Sequence, residues 1–514
     1  MMEFDLARPK IRAFLYTLHK VLLFKVHIFR YLPRLLSNWS SVVIVFFPLP
    51  PVQSKLVLPG FHWYDETGVE AASQKSRGTR QFIASVNAGS YENGLYSLLR
   101  LPFPRNRSTA YDLSERINYC FLLFIHLKKY PSEKERVPIQ EMTEYILGNL
   151  EYYGRRWTNN HYLNNARALL SASILLRDRQ LASRALNILK HALKINFPND
   201  TFQERSSSYQ CLVGCWLKSI YLYLSMIDDS KALRQEVLHL VSKIEIKDLH
   251  RLNFGDNTPD FSKVNIQYFS NFYDQFLPTK VLSSTSKWLS SQNSRHFDFS
   301  IVTGEQERFG PEHGYRHLAC FQLTYKGYPI FLSSARPIYN KASTGFNNDP
   351  GFKSSGCVLI EGKSIYSRKS DLLISNHCTD PKSLPFASGI NNDSKGNKFS
   401  LVVHSGQGIV KENFCFSDAE FLVELFHHDG NAITLFFLLP EDLRFINGHL
   451  DSANLKFSVT TSKNLVNLVS ETCFYSDEYS VSKKGWRLTA SFGSTTPDML
   501  SFIKFTEKKN DLSI

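Results

Sequence analysis

The sequence predicts a multidomain α + β protein in which helical hairpins are followed by an antiparallel β-sandwich. The chain has 514 residues, and because single hydrophobic cores stop growing at roughly 250 to 300 residues, two or more domains are expected. From about residue 85 to 290 apolar residues recur with a helical period. From about residue 296 they form short runs between turn residues. The composition, 43% hydrophobic and 21% charged, is that of a globular protein.

The first 60 residues form a basic amphipathic segment, for which two interpretations remain open: a helix on a membrane surface, or a helix packed against the protein itself. The positive residues that interrupt its apolar residues are Lys10, Arg12, Lys20, Lys25, Arg30 and Arg34. The longest uncharged apolar run, residues 42–47, is too short to span a bilayer, and no small-residue cleavage site follows. We therefore expect a cytoplasmic protein in peripheral contact with the inner membrane, with a periplasmic location as the alternative.

The predicted helical domain covers residues 61–290. Its apolar spacing predicts helices near residues 111–129, 138–153, 162–177, 181–196, 209–226 and 231–243. In the fourth of these, for example, Leu181, Ala185 and Ile188 share one face. Consecutive helices of this kind indicate helical hairpins.

The predicted β domain covers residues 291–514. Its runs "FSIVT", "ACFQLTY", "YPIFLS", "FSLVVHS", "FLVELFH", "AITLFFLL" and "LSFIKFT" are separated by Gly, Asn, Asp and Ser. This pattern favours a sandwich. The boundary between the domains is expected in the polar stretch 283–296.

The net charge of +13 points to an anionic partner: a nucleic acid, a membrane surface or an acidic polysaccharide. Nucleic acid is the least favoured partner, because no helix-turn-helix, RNP or zinc motif accompanies the charge. The eight cysteines form no C-x-x-C pair, which is typical of a reducing compartment, although their even number leaves disulfides open.

The stretch "TNNHYLNNARALL", residues 158–170, places two asparagines and a histidine before the first apolar turn of a helix. Asn159, Asn160 and His161 are poor helix-interior residues but good residues for a helix start. The pattern alone predicts an Asn cap with a surface or buried histidine.

Five stretches together resemble the heparinase II/III-like polysaccharide lyase superfamily, in particular members found among bacterial capsule and exopolysaccharide genes. They are "YDLSERINYC" (111–120), "NNHYLNNARALL" (159–170), "FQERSSSYQ" (202–210), "FGDNTPD" (254–260) and "FGPEHGYRHLACFQLTYKGYPIFL" (309–332). The resemblance covers roughly residues 80–365. It implies an (α/α) toroid joined to a β-sandwich, with the sugar chain bound in the cleft between them.

The resemblance also implies a set of catalytic residues. The family uses an Asn-His pair at a helix start for carboxylate neutralisation and proton chemistry, and a later Tyr as base or acid. Asn160 and His161 match the pair, and Tyr209 matches the Tyr. By itself Tyr209 would only begin a helix capped by serine. Arg205 and Glu204 are predicted to bind the substrate, where Arg205 would lower the pKa of the Tyr209 hydroxyl; the alternative is that the two residues pair as a structural clamp.

In the β half, "EHGYRH" stands where the family usually carries "G-H-x-H-A-D". In this register His313 takes the first His, which faces the catalytic cleft, and is predicted to be catalytic. Tyr315 takes the second His and His317 the Asp, and both are predicted to bind the substrate. Ser333 and Ser355 take two further positions that, like the second His, bind metal in metal-bearing relatives. We therefore expect no catalytic metal and no other cofactor. A new metal pair of His313 and His317, or a purely structural loop, are the alternatives.

Three further residues lie on predicted helices. Arg116 and Asn118 are on the helix that resembles the family's cleft-proximal one, so substrate contact is predicted for them. Arg167 is interpreted as part of a solvated helix face.

The leading functional hypothesis is a lyase that cleaves a uronate-containing, anionic bacterial polysaccharide by β-elimination. The first alternative is a protein that binds or guides a nascent polysaccharide without cutting it. The second is a glycoside hydrolase on the same fold, which needs paired carboxylates, whereas Glu204 is the one obvious carboxylate in the motif region. The sequence leaves the oligomeric state open.

Overall fold

The computed structural model describes residues 44–52, 77–102, 109–152, 158–200, 202, 206–244, 263–278, 289–293, 295–305, 319–333, 355–356, 358–360, 363–364, 386–391, 398–405, 408–427, 429–475, 483–494, 496 and 500–508. Most of the basic N-terminal segment lies outside this set, and so does the "FGDNTPD" stretch. Within it the chain divides into two compact units, of which the first contains most of residues 44–278 and the second contains residues 289–508. The predicted division into 1–60, 61–290 and 291–514 stays a prediction.

The first unit is helical. The α-helices among its described residues are α1 (Arg77–Asn87), α2 (Tyr91–Arg100), α3 (Ala110–Leu127), α4 (Glu133–Gly148), α5 (Asn160–Leu176), α6 (Arg179–Asn196), α7 (Ser207–Ser225), α8 (Lys231–Ile244) and α9 (Lys263–Asp274). The six helices predicted individually are confirmed as α3 to α8. Helices α1, α2 and α9 were not predicted individually.

Helix α4 begins at Glu133, five residues before its predicted start. The reason is a capping box, in which the carboxylate of Glu135 accepts hydrogen bonds from the backbone N–H and the hydroxyl of Ser132. Pro138, which the prediction placed at the helix start, lies inside the helix instead.

Helices α3 and α5 run side by side in the same direction. Near their starts, the rings of Tyr111 and His161 lie 4.4 Å apart. Further along both helices, the hydroxyl of Ser171 donates to Oδ1 of Asn118 at 3.2 Å. Because the contacts advance from start to end in both helices, α3 and α5 are parallel.

Helix α7 has the same direction. The ring of Tyr111 lies 6.2 Å from that of Trp216, and two turns later the hydroxyl of Tyr223 donates to Oδ1 of Asn118 at 3.1 Å. Three alternate helices, α3, α5 and α7, are therefore parallel, and their N-termini lie at the same end of the helical unit.

A short N-terminal segment packs on this unit. Phe46 forms an antiparallel bridge with Ile227, and the N–H of Phe47 donates to the carbonyl of Met226 at 2.9 Å. Ile44 is buried in the helical core. Among the residues that the structure describes, no helix has both the length and the apolar character needed to cross a membrane.

The second unit is built of β-strands. Their bounds are β1 (Leu289–Asn293), β2 (Phe297–Val302), β3 (Gly304–Glu305), β4 (Phe321–Tyr325), β5 (Tyr328–Phe331), β6 (Val358–Ile360), β7 (Lys363–Ser364), β8 (Phe386–Asn391), β9 (Lys398–Ser405), β10 (Gly408–Phe416), β11 (Glu420–His427), β12 (Ile433–Pro440), β13 (Arg444–Ile446), β14 (His449–Asp451), β15 (Lys456–Thr461), β16 (Leu465–Tyr475), β17 (Lys483–Phe492) and β18 (Leu500–Glu507). Each of the seven predicted apolar runs falls on one of these strands.

The strands form three antiparallel sheets in the described part of the chain. Their orders are β1-β2-β4-β5, β13-β14-β15-β18-β11-β10-β9-β8-β3 and β16-β17-β12-β6-β7. Alternate residues point into the core, as Phe421, Val423 and Leu425 do on β11. With helices in one unit and antiparallel sheets in the other, the fold class is α + β.

The cysteines that the structure describes are Cys120, Cys211, Cys215, Cys320, Cys415 and Cys473, and no disulfide joins any two of them. Cys215 is buried, and burial raises the pKa of its thiol to about 12. Cys211 is partly buried.

Candidate functional site

The start of α5 is fixed by Asn159, whose side-chain oxygen accepts a hydrogen bond from the backbone N–H of His161 at 3.0 Å. This confirms Asn159 as the helix cap. The next residue, Asn160, is fully buried, whereas about a third (32%) of the His161 side chain is exposed. His161 is therefore the more accessible member of the Asn-His pair.

The imidazole of His161 is held by a carboxylate that the sequence did not single out. Nδ1 of His161 lies 3.1 Å from Oε1 of Glu151. The other oxygen of Glu151, Oε2, accepts from Nδ2 of Asn165 at 3.2 Å. His161 and Asn165 are one turn apart on α5, so one helix face holds both oxygens of the carboxylate.

Asn165 also ties Glu151 to the neighbouring elements. The backbone N–H of Glu151 donates to Oδ1 of Asn165 at 2.9 Å, and Nδ2 of Asn165 also donates to the hydroxyl of Ser114 on α3 at 3.1 Å. Since Oδ1 accepts from a backbone N–H, the orientation of this amide is determined by its bonding partners. The ring of Tyr111 covers His161 from α3.

Tyr209 is the third residue of α7 and is 5% exposed. It precedes Trp216 by two turns of α7, and Asn160 precedes Arg167 by two turns of α5. The guanidinium of Arg167 lies 4.8 Å from the centre of the Trp216 ring. Because α5 and α7 are parallel, this contact brings Asn160 and Tyr209 to the same end of the helical unit.

Arg167 does not lie on a solvated helix face, so that interpretation is wrong. It is 4% exposed and forms an ion pair with Glu115 of α3. Burial has the largest single effect and lowers the pKa of the Arg167 guanidinium, but Glu115 together with Tyr223, Tyr273 and Cys215 outweighs it, so the pKa lies above its usual value. The interpretation from the sequence failed because Arg167 lies among apolar residues on its helix and because its partner, Glu115, lies on another helix.

Arg116 and Asn118, for which substrate contact was predicted, are both buried within the helical unit. Nε of Arg116 donates to the carbonyl of Leu98 at 2.6 Å, and desolvation by burial lowers the pKa of the guanidinium to about 10. Asn118 joins α3 to α5 and α7 through Ser171 and Tyr223. These contacts favour a structural role for both residues.

Five predicted site residues lie outside the described residues. They are Glu204, Arg205, His313, Tyr315 and His317. Their roles stay predictions.

Ser333 and Ser355, the positions at which the resemblance in the sequence implies ligands of metal-bearing relatives, are both buried. The hydroxyl of Ser355 accepts from the N–H of Leu438 at 2.8 Å, and its backbone N–H donates to Leu332 at 2.9 Å. Ser355 thus bonds to Leu438 of β12 and to Leu332, which directly follows β5. Neutral hydroxyls are not the donors that zinc takes from proteins. These two positions do not fit a metal ion. The residues described by the structure contain no cluster of three or more His, Cys, Asp or Glu that would hold one.

Sequence reasoning missed two acidic residues, Glu115 and Glu151. Glu151 follows the end of α4 and lies between Leu150 and Tyr152, both of which are buried. A lone carboxylate in such an apolar stretch is a usable signal, because buried carboxylates are normally paired.

No model of a known protein family matches the sequence, and no curated protein matches it significantly. Solved structures of polysaccharide lyases are similar in fold. A crystal structure of heparinase III superposes with a TM-score of 0.56 at 13% sequence identity, covering 86% of this chain and 77% of that chain. A heparinase III gene product with methylated lysines gives 0.52 at 13% identity, covering 88% and 82%. The heparan sulfate lyase HepC from Pedobacter heparinus gives 0.51 at 12% identity, covering 85% and 76%.

The chain therefore has a heparinase-like polysaccharide lyase fold. At sequence identities this low, structural similarity shows the fold alone. The substrate and the activity have to be inferred from the chemistry of the site.

Proposed function

We propose that this protein is a polysaccharide lyase that cleaves an anionic, uronate-containing polysaccharide by β-elimination. One observation carries the proposal: His161, held by Glu151 at the start of α5, lies at the same end of parallel helices as Tyr209. An imidazole, an amide and a phenol at one end of a lyase fold are the groups that such an elimination needs.

The reaction makes three demands on the site. A base removes the C5 proton of the uronate, the electrons of the C5–H bond form the C4–C5 double bond, and the C4–O bond breaks. The leaving oxygen takes a proton and becomes the hydroxyl of a new reducing end. Because negative charge builds up on the carboxylate as the C5 proton leaves, hydrogen-bond donors facing the carboxylate stabilise the transition state.

The residues divide these tasks. Asn160 and His161 hold the carboxylate, and the hydroxyl of Tyr209 takes the C5 proton or protonates the leaving oxygen. The net charge of +13 favours a negatively charged polymer. No step uses a metal, which agrees with the serines at two of the positions where relatives bind one.

The architecture we propose is an (α/α) toroid and a β-sandwich. The parallel arrangement of α3, α5 and α7, with α4 and α6 between them in the sequence, is the arrangement expected of helical hairpins in a ring. The antiparallel sheets with alternating burial are those expected of a sandwich. A cytoplasmic location with peripheral membrane contact remains a proposal that rests on the basic N-terminal sequence.

The test is incubation of the purified protein with a panel of uronate polysaccharides, including heparan sulfate, while ultraviolet absorbance and reducing ends are measured in parallel. Elimination produces both the absorbance of the unsaturated uronate and new reducing ends. New reducing ends without absorbance would instead indicate a glycoside hydrolase. Binding without either signal would indicate the non-cleaving guide protein.

A further inference from the structure

Glu151 belongs to the segment that leads from α4 into α5 and is almost completely buried, at 9% exposure. Its carboxylate has two defined neighbours on α5: His161 at Oε1 and Asn165 at Oε2. A buried carboxylate that contacts the imidazole of a proposed site residue can fix the orientation and the tautomer of that imidazole.

The hydrogen-bond directions around Glu151 follow from its neighbours. Oδ1 of Asn165 accepts from the backbone N–H of Glu151, so Nδ2 of Asn165 is the donor toward Oε2. An ionised carboxylate only accepts hydrogen bonds. If Glu151 is ionised, Nδ1 of His161 carries a hydrogen toward Oε1, whether the imidazole is neutral or charged.

We propose that Glu151 is a positioning residue that keeps the hydrogen on Nδ1 of His161 and so makes Nε2 the ring atom that addresses the polysaccharide. This inference rests on the proposed function for its chemical meaning, but the tautomer itself does not depend on any activity. The carboxylate also stabilises the imidazolium whenever Nε2 gains a proton, in the way an acidic residue orients a catalytic histidine. Tyr111 restricts rotation of the ring from its other side.

An amide at position 151 cannot serve both neighbours. In Glu151→Gln, if the side-chain oxygen accepts from Asn165, the NH₂ group faces Nδ1 of His161 and favours the tautomer with its hydrogen on Nε2. If the amide is turned around, its NH₂ group faces the NH₂ group of Asn165. The first orientation is favoured because Asn165 is itself fixed by a backbone N–H.

The experiment measures the tautomer of His161 by ¹⁵N NMR on the full chain labelled at histidine, at a pH where the imidazole is neutral. The His161 signals are assigned by their loss in His161→Gln. We expect hydrogen on Nδ1 in the wild type and in Glu151→Asp, which keeps a carboxylate, and hydrogen on Nε2 in Glu151→Gln. The control, Glu144→Gln, changes an exposed residue of α4 and should leave the signals unchanged.

Kinetics on a cleaved polymer give the second readout. Glu151→Gln should lower kcat by on the order of 10²-fold or more with a smaller change in KM, because the imidazolium of His161 loses the carboxylate that stabilises it while negative charge builds up on the uronate carboxylate that Nε2 faces. Glu151→Asp should recover part of kcat, and thermal unfolding should show that both variants fold. A wild-type hydrogen on Nε2, or a Glu151→Gln variant that keeps it on Nδ1, would overturn the inference. If the tautomers are as expected but the protein cleaves no polymer, the proposed function is refuted. The inference that Glu151 keeps the hydrogen on Nδ1 of His161 then still stands.

Discussion

Arg167 of α5 and Glu115 of α3 form an ion pair in the interior of the helical unit, with side chains that are only 5% and 7% exposed. Glu115 also accepts from the hydroxyl of Tyr119 at 2.8 Å, and Arg167 packs on the ring of Trp216. Desolvating two charges is costly, so the pair stabilises the fold only while both partners are present. The pair joins α5, which carries Asn160, to α3, and the contact of Arg167 with Trp216 joins α5 to α7, which carries Tyr209.

Removing one partner of this pair is expected to destabilise the protein strongly. Arg167→Met leaves the carboxylate of Glu115 buried without its counter-charge, which typically costs about 3–5 kcal/mol of unfolding free energy. Chemical denaturation measures the loss, with Arg179→Met at an exposed position of α6 as the control. The double variant Glu115→Met/Arg167→Met should be more stable than Arg167→Met alone. A double variant that is less stable would contradict this account of the pair.

Tyr209→Phe is expected to reduce elimination while leaving the fold intact. The substitution removes one oxygen, and general acid–base groups typically contribute on the order of 10² to 10⁴ in rate. Polymer binding should change little because the phenyl ring still fills its place. Tyr221→Phe removes a hydroxyl from the same helix and serves as the matched control. If Tyr209→Phe cleaves at nearly the wild-type rate, the mechanism proposed for Tyr209 fails.

Asn159→Ala should cost stability rather than chemistry. The side chain caps α5 through the N–H of His161, and loss of such a cap typically costs about 1 kcal/mol. Thermal and chemical unfolding measure this cost. Asn187→Ala, in the middle of α6, should be neutral or slightly stabilising, because alanine is the better helix former. Equal effects of the two substitutions would argue against the cap.

Much of the fold was predictable from the sequence, because apolar spacing is set by the same burial that forms the core. The period that contains Leu181, Ala185 and Ile188 predicted α6, and the short apolar run "FLVELFH" between turn residues predicted β11. The start of α4 was missed, since a local capping box outweighed the expectation that Pro138 begins a helix.

The candidate site was predictable only in part. The Asn-His motif pointed to the start of α5, but the partner of His161 comes from another segment, and spacing along one chain does not reveal such a contact. The same holds for Glu115 and Arg167, which lie on different helices. Contacts between segments depend on how the helices pack. Apolar periodicity shows which face of a helix is buried, but it does not show which helix packs against that face.

Chelation is expected to leave both activity and thermal stability unchanged. Ser355 uses its hydroxyl to bind the backbone of β12 at Leu438, and serine offers no charged donor to a divalent ion. The measurement compares protein before and after prolonged dialysis against a chelator, with readdition of zinc or calcium. Activity that is lost and then restored by either ion would contradict our interpretation of Ser333 and Ser355.

Glu412 makes the stability of the β unit depend on pH. It lies on β10 between Leu401 of β9 and Leu425 of β11, it is fully buried, and neither carboxyl oxygen has a hydrogen-bond partner in the part of the chain that the structure describes. Burial raises the pKa of this carboxyl from 4.5 to about 8. The folded protein therefore holds a proton at pH values where the unfolded chain has released it.

The sign of the effect follows from this difference. A carboxyl whose folded pKa is raised contributes its full stability below the unfolded pKa and loses it as pH rises, here between about pH 4.5 and 8. Within that window the unfolding free energy should fall by on the order of 1.4 kcal/mol per pH unit. Glu412→Gln keeps the shape of the side chain, but the amide does not titrate. The variant should therefore become more stable relative to the wild type as the pH rises to about 8, and the difference should then stay constant. Denaturant unfolding at a series of pH values measures this difference, and Glu441→Gln at an exposed position is the control. A Glu412→Gln variant whose stability follows the wild-type pH dependence would show that the Glu412 carboxyl is already ionised in the folded protein.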